Sequence, residues 1–180
     1  MKTTPMQHQK VAMDRMANRK YYGLFMEQGT GKTWCLMADA ERLYKEKLIE
    51  AMLVIAPNGV HTNWVRREIP QHMEMPYIAR AWKSGASQRH LRSMEDLFSD
   101  KKSGLRILAI NIDALGTKAG LAFATRFISK YQAMAVVDES SRIKNPTAKR
   151  TNAVMQLRPK AAFARIATGT PATNAPGDVF

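Results

Sequence analysis

Five stretches of this chain are apolar almost without interruption and rich in branched or aromatic residues: YYGLFM (21–26), AMLVIA (51–56), LRILAI (105–110), AMAVV (133–137) and FARIAT (163–168). Runs of that kind predict strands buried on both faces of a sheet. Between them the apolar positions recur at helical spacing, over 32–48, 60–73, 86–100, 117–130 and 147–158. A further helix is expected over roughly 6–18, and YIARAW (77–82) is an additional candidate strand. Strands alternating with helices predict an α/β fold of three layers, with a mainly parallel central sheet and helices on both faces. In open sheets of this type ligands bind beyond the carboxyl ends of the strands, which is where the polar clusters of this chain fall.

Composition narrows the class. At 180 residues the chain is long enough for one well-cored domain. No apolar run approaches the ~20 residues of a membrane-spanning helix. The polar start, MKTTPMQHQK, lacks the apolar centre of a secretion signal, and the single cysteine, Cys35, excludes an intramolecular disulfide. A cytoplasmic protein with no membrane partner is expected. The formal charge of +13 points to an anionic partner such as nucleic acid. Arg142, Lys144, Lys149, Arg150, Arg158, Lys160 and Arg165 lie between 140 and 170 without an Asp or Glu, so a localised binding face is expected there.

The first candidate chemistry is MEQGTGKT, 26–33, directly after the first strand and opening the first long helix. It ends like the phosphate-loop pattern G-x-x-x-x-G-K-[ST] but begins with Met26 in place of glycine. A compact turn at Gly29 and Gly31 would aim successive backbone N–H groups and the helix start at a phosphate chain. Lys32 would reach the β- and γ-phosphates and the Thr33 hydroxyl would bind magnesium. The bare GKT is a common tripeptide, and it calls for a partner site. That partner is AMAVVDESSRIKNP, 133–146, where a buried-strand pattern ends in two carboxylates. Asp138 suits the second anchor of a magnesium ion and Glu139 the base that positions an attacking water. A strand cap would explain Asp138 and Glu139 alone, but not their company. An ATP site is the expectation, with Mg2+ as its ion.

Taken in order, MEQGTGKT, LVIAPNGVHTNW (53–64), VVDESSRIKN (136–145) and ATGTPATN (167–174) resemble motifs I, Ia, II and III of the superfamily 2 helicase-like ATPases. The DE-x-x-R-I-K-N and TGTP-x-x-N forms are most similar to the SWI/SNF-type double-stranded DNA translocases and their phage and bacterial relatives. The blocks span almost the whole chain. The resemblance implies a RecA-like fold and makes Met26 tolerable. It also implies that PMQHQKVAM (5–13), within a helical region over 1–20, is the upstream glutamine motif, with Gln9 reading adenine. The expected ATP-binding set is then Gln9, Gln28, Gly29, Thr30, Gly31, Lys32, Thr33 and Trp34, with Lys32, Asp138 and Glu139 catalytic and Thr33 and Asp138 on the metal.

By the same resemblance Pro57, Asn58, Gly59 and Thr62 would face the backbone of DNA, double-stranded and read without regard to sequence, through small polar groups and free N–H groups at a helix start. Trp64 reads as core packing rather than base stacking. Thr168, Gly169, Thr170 and Arg142 are the expected coupling residues. Arg142, Lys144 and Asn145 follow the carboxylates and would touch either DNA or a second lobe. Ser141 stands where many relatives carry histidine, so the coupling here is expected to differ.

Motors of this family close two RecA-like lobes around ATP, the second supplying an arginine finger worth about 10³ to 10⁵ in rate. The expectation is a single first lobe, residues 1–180, that binds Mg-ATP and turns it over productively only with a second lobe, in cis or in trans. If phage-encoded, it would work in the host cytoplasm. Two other readings stay open: a nucleic-acid-binding adaptor that senses ATP without productive hydrolysis, and a P-loop kinase or transporter-type ATPase, which leaves TGTP and the AP-N-G turn without a role.

Overall fold

A computed structural model describes residues 1–139 and 148–169. Six strands form one sheet: β1 (Tyr21–Phe25), β2 (Ala51–Ala56), β3 (Tyr77–Ala81), β4 (Leu105–Asn111), β5 (Ala133–Asp138) and β6 (Phe163–Thr168). Their spatial order is β1-β6-β5-β2-β4-β3, and every neighbouring pair is parallel. The candidate strand at 77–82 is therefore real and forms the far edge.

The seven α-helices among the described residues are α1 (Gln7–Met16), α2 (Lys32–Lys45), α3 (Val60–Asn63), α4 (Ile69–His72), α5 (Gln88–Met94), α6 (Lys118–Lys130) and α7 (Lys149–Leu157). They cover both faces, because the central strands have two apolar sides. Along β2, Met52, Val54 and Ala56 join one core with α1, α2 and Trp64, while Ala51, Leu53 and Ile55 join the other with α6 and α7. That period of two is the pleat of a strand with no solvent side. Near the β1 edge the cover on the second face stops short. A groove of about 330 Å³ remains between α7 and the outer strands, and Tyr21 and Ile166 stand exposed along it.

Three expected helices differ in instructive ways. The first ends at Lys45 rather than 48, because Lys47 turns with φ 59 and the Leu48 N–H returns to Leu43 O. That is a left-handed helix stop made without glycine. The second, expected unbroken over 60–73, is α3, a π turn over Trp64–Glu68, and α4. Pro70 has no N–H to give Arg66 O in an α pattern, and the Ile69 N–H bonds Trp64 O instead. The segment expected as a helix over 86–100 is α5 followed by a 3₁₀ turn, Glu95–Phe98.

Among its described residues the basic cluster between 140 and 170 does not make one face. Arg165 is fully buried on β6, where its Nε donates to Asp39 Oδ2 of α2 at 2.9 Å and its Nη1 to Lys20 O and Ala164 O. Arg42 bonds the other Asp39 oxygen at 2.7 Å. Burial lowers the Arg165 pKa from its ordinary value while Asp39 holds the charge in place. Arg158 lies over the Tyr21 ring at the amino ends of the strands, and Arg150 is 3.5 Å from Asp113 at the other end. Arg142 and Lys144 lie outside the described residues.

The Asp39–Arg165 pair ties the helix that begins at Lys32 to the strand that ends at Thr168. Removing one buried partner strands the other charge, so Asp39→Ala should cost about 3–5 kcal/mol in urea unfolding. Asp39→Leu with Arg165→Met, which removes both charges, should recover most of that loss.

Candidate functional site

β1, β6 and β5 are neighbours in register: Phe25 pairs with Thr168, and Asp138 with Ala167. Their carboxyl ends therefore stand at one height, and the loops that leave them meet. A cleft of about 500 Å³ lies there, lined by Gln9, Gln28, Gly29, Gly31, Lys32, Thr33, Trp34, Asp138 and Glu139 from the expected set. Strand order gathers the residues of the three loops, and α1 adds Gln9.

The Gly-rich loop has the two backbone angles its glycines suit, φ 76 at Gly29 and φ 80 at Gly31. A Cβ at Gly31 would also fall on the Gln9 side-chain nitrogen and push that amide from its place. Met26 has no positive φ, so its position does not need glycine, and its side chain packs against the core. Its carbonyl and that of Glu27 each accept a hydrogen bond from Lys32 Nζ at 3.0 Å. Thr30, not on the cleft wall, closes the turn by donating its hydroxyl to Glu27 O at 2.6 Å.

Gln9 is buried and tied into this loop. Its Oε1 accepts the Met6 N–H at 2.8 Å, and its Nε2 donates to Thr30 O at 3.2 Å. Among the described residues one amide hydrogen and one lone pair remain, the pair of groups that an adenine edge would use. Around it sit cleft residues that sequence reasoning missed: Thr3, Thr4, Met6, Val60, Glu68 and His72. Trp34 Nε1 donates to Thr3 Oγ1 at 2.8 Å, and that hydroxyl is also bonded to His72 Nδ1 at 3.0 Å. Nothing in the local sequence marks Thr3 or His72, which meet only because the first residues run along α2 and α4.

At the opposite wall Asp138 is 6% exposed. Trp64 Nε1 donates to its Oδ2 at 2.9 Å, and the Glu139 N–H to its Oδ1 at 3.1 Å. Burial raises the Asp138 pKa above its ordinary value, with the Trp64 hydrogen bond working against the rise. Trp64 itself is core, as read from the sequence, but it is also a ligand of the carboxylate, which was missed. Glu139 has φ 54, a left-handed conformation that costs a residue with a Cβ and clusters at functional sites. Thr168 is buried at the end of β6, and Gly169 lies against Gln28 and Lys32, where a Cβ would be 3.5 Å from Lys32 Nζ. Thr170, Ser141 and Asn145 lie outside the described residues.

A second cleft, about 790 Å³, occupies the carboxyl ends of β2, β4 and β3. Asn58 and Thr62 line it, with Arg66, Lys83 and His90, whereas Pro57 and Gly59 do not. The expectation of free N–H groups fails at Gly59, whose N–H is taken by Asn58 Oδ1 at 3.1 Å. The Thr62 hydroxyl donates to Gly59 O at 2.7 Å. Missed here were His61 and Trp82. His61 Nε2 donates to Trp82 O, while His61 Nδ1, Trp82 Nε1 and His90 Nε2 are buried with no hydrogen-bond partner among the described residues.

The SNF2-related domain matches residues 8–180. The chain belongs to the SNF2-related domain family. Its fold is the RecA-like α/β lobe of SWI/SNF-type, superfamily 2 helicase-like proteins, with the parallel sheet described above. The SWI2/SNF2 ATPase core of Sulfolobus solfataricus, solved with double-stranded DNA, superposes with a TM-score of 0.73 at 23% identity over 100% of this chain and 35% of that one. A nuclease-deletion mutant of the Type ISP restriction-modification enzyme LlaGI, solved with a DNA substrate mimic, gives 0.72 at 16% identity over 96% of this chain and 18% of that one. The UvsW helicase of bacteriophage T4 gives 0.65 at 15% identity over 98% and 56% respectively. The chain thus spans 18–56% of the length of these structures. No curated protein matches the chain.

For an SNF2-related domain the donor chemistry of the first cleft suits a magnesium nucleotide. Thr33 and Asp138 offer hard oxygens, and no group of three or more His, Cys, Asp or Glu among the described residues could hold a metal by itself. Mg2+ is characteristically held by one or two carboxylates together with phosphate oxygens and water. No helix among the described residues is long and apolar enough to cross a membrane.

Gly31→Ala tests the loop. It forces a Cβ into a left-handed conformation at about 1–2 kcal/mol and onto Gln9 as well. The variant should melt lower, and amide exchange in α1 should rise more than in β2 or β5.

Proposed function

We propose that this chain is the nucleotide-binding lobe, spanning residues 1–180, of a DNA-dependent ATPase and double-stranded DNA translocase. The observation that carries the reading is the meeting of Lys32 and Thr33 with Asp138 and Glu139 in one cleft. In this reading the Gly29–Gly31 turn and the start of α2 receive the phosphates, and Lys32 exchanges its loop carbonyls for the β- and γ-phosphate oxygens. Thr33 and Asp138 would hold Mg2+, which would neutralise phosphate charge. Glu139 orients the attacking water. Gln9 reads adenine with its remaining hydrogen and lone pair, and Gln28, Thr30 and Trp34 complete the pocket.

The second cleft is the DNA face. Asn58 and Thr62 meet backbone phosphates with Arg66 and Lys83, contacts that position a duplex without reading its sequence. The S. solfataricus ATPase core, which shares the fold, was solved with double-stranded DNA. In this reading the exit of β6 senses the γ-phosphate end and Thr168, Thr170 and Arg142 carry that state onward; the closeness of Gly169 to Lys32 supports it. A second RecA-like lobe, in cis or in trans, supplies the arginine that makes turnover productive.

Lys32→Ala should weaken ATP binding on the order of 10- to 100-fold in calorimetry, the value of a charge-assisted hydrogen bond. Glu139→Gln should keep Mg-ATP binding and abolish hydrolysis in a two-lobed form; unchanged hydrolysis would remove Glu139 from the chemistry. Arg66→Ala should weaken duplex binding equally across sequences and reduce the salt slope by about 1. Tight, salt-sensitive duplex binding with no nucleotide-dependent hydrolysis in any two-lobed form would favour the ATP-sensing adaptor instead.

A further inference from the structure

Trp64 is 1% exposed and stands first among the largest fully buried side chains of the domain. A side chain of that size in a core needs no polar partner beyond one for its ring N–H. Here that partner is a carboxylate at the wall of the nucleotide cleft, Asp138 Oδ2 at 2.9 Å, reached across 74 residues of sequence. The other carboxylate oxygen accepts the Glu139 N–H, a donor fixed by the chain itself. Trp64 is thus the donor that orients the carboxylate from outside its own strand.

Its own position is set by the π turn. The Ile69 N–H closes on Trp64 O, and Asn63 Nδ2 donates to Glu68 Oε1 at 3.1 Å across the same turn. Glu68 lines the nucleotide cleft while Arg66 lines the other. π turns inside helices are characteristic of functional sites, and this one points the indole at the end of β5.

An ionised carboxylate offers about four acceptor positions. Among the described residues the indole and the Glu139 peptide occupy one on each oxygen, and the positions they leave face a cation arriving with nucleotide. We propose that Trp64 is a positioning residue for the metal-binding carboxylate: its indole N–H fixes the orientation of Asp138 so that the free lone pairs stay available to the cleft. This rests on the reading of Asp138 as a magnesium ligand. A Trp64 that served only to fill the core would be replaceable by any apolar group of its shape.

The test uses the 180-residue chain. The three tryptophans give three indole N–H resonances in a ¹⁵N spectrum, and the Trp64 signal is the one missing in Trp64→Phe. Without any ligand, Asp138→Ala should move the Trp64 resonance more than those of Trp34 and Trp82. Affinity for a non-hydrolysable ATP analogue is then measured with Mg2+ and with EDTA. In Trp64→Phe the strengthening by Mg2+ should fall on the order of 10-fold or more, the usual effect of losing a group that orients a metal ligand, while affinity in EDTA stays unchanged.

Should the phenylalanine variant fail to fold, 3-benzothienylalanine at position 64 keeps the shape and deletes only the N–H, and the same loss is expected. A Trp64 resonance unmoved by Asp138→Ala, or full Mg2+ strengthening in the isosteric variant, overturns the positioning role alone. A wild-type chain that gains nothing from Mg2+, with the indole still responding to Asp138→Ala, overturns the nucleotide reading and the positioning role with it.

Discussion

The parallel, in-register pairing of β1, β6 and β5 brings Phe25, Thr168 and Asp138 to the same edge of the sheet, and everything chemically distinctive about this domain is hung from that edge. Parallel strands all release their chains at one end, so the loop after Phe25 leaves beside those after Asp138 and Thr168, residues far from it in sequence. The pairing is enforced by burial. β5 has no solvent face, and a slip of one residue would exchange its two apolar sides between two already filled cores. The buried Asp39–Arg165 pair pins the same three-strand unit to α2 from below.

Against that rigid frame the unfavourable features collect in one place. Glu139 and Gly31 are held left-handed, with the Gln9 amide where a Gly31 Cβ would stand, and Asp138 is a carboxylate buried to 6% exposure. Each costs stability locally, and each is sustained by apolar burial elsewhere. The opening methionine of the Gly-rich loop is the informative contrast. It departs from the usual pattern without strain, because that position needs neither left-handed backbone nor empty space and contributes a carbonyl to Lys32.

Strand order also divides the carboxyl edge. β1, β6 and β5 frame one cleft, and β2, β4 and β3 the other. The broken helix that follows β2 runs between them: Asn58, Thr62 and Arg66 look toward one cleft, Val60, Glu68 and His72 toward the other. A regular α-helix repeats its faces every 3.6 residues. The extra residue in the π turn, next to a proline that cannot donate, shifts that phase and gives one short element two working faces.

Much of this was legible before folding. Continuous apolar runs mark strands that have no wet side, and the Gly-rich loop and acidic strand end declare themselves because their chemistry is contiguous along the chain. What the linear pattern could not carry was anything that depends on a partner from elsewhere. The same Arg165 that looks like part of a basic face is neutralised in the core by Asp39, since charge in a sequence has no address until burial gives it one. The continuous helix expected over 60–73 yielded to one missing N–H at Pro70. Thr3, His72 and the indole of Trp64 entered the site through contacts between distant elements, which periodicity does not encode. Local propensity and hydrophobic spacing decided what the elements are; only the tertiary structure, through strand order and the matching of buried donors to buried acceptors, decided which residues share a cleft.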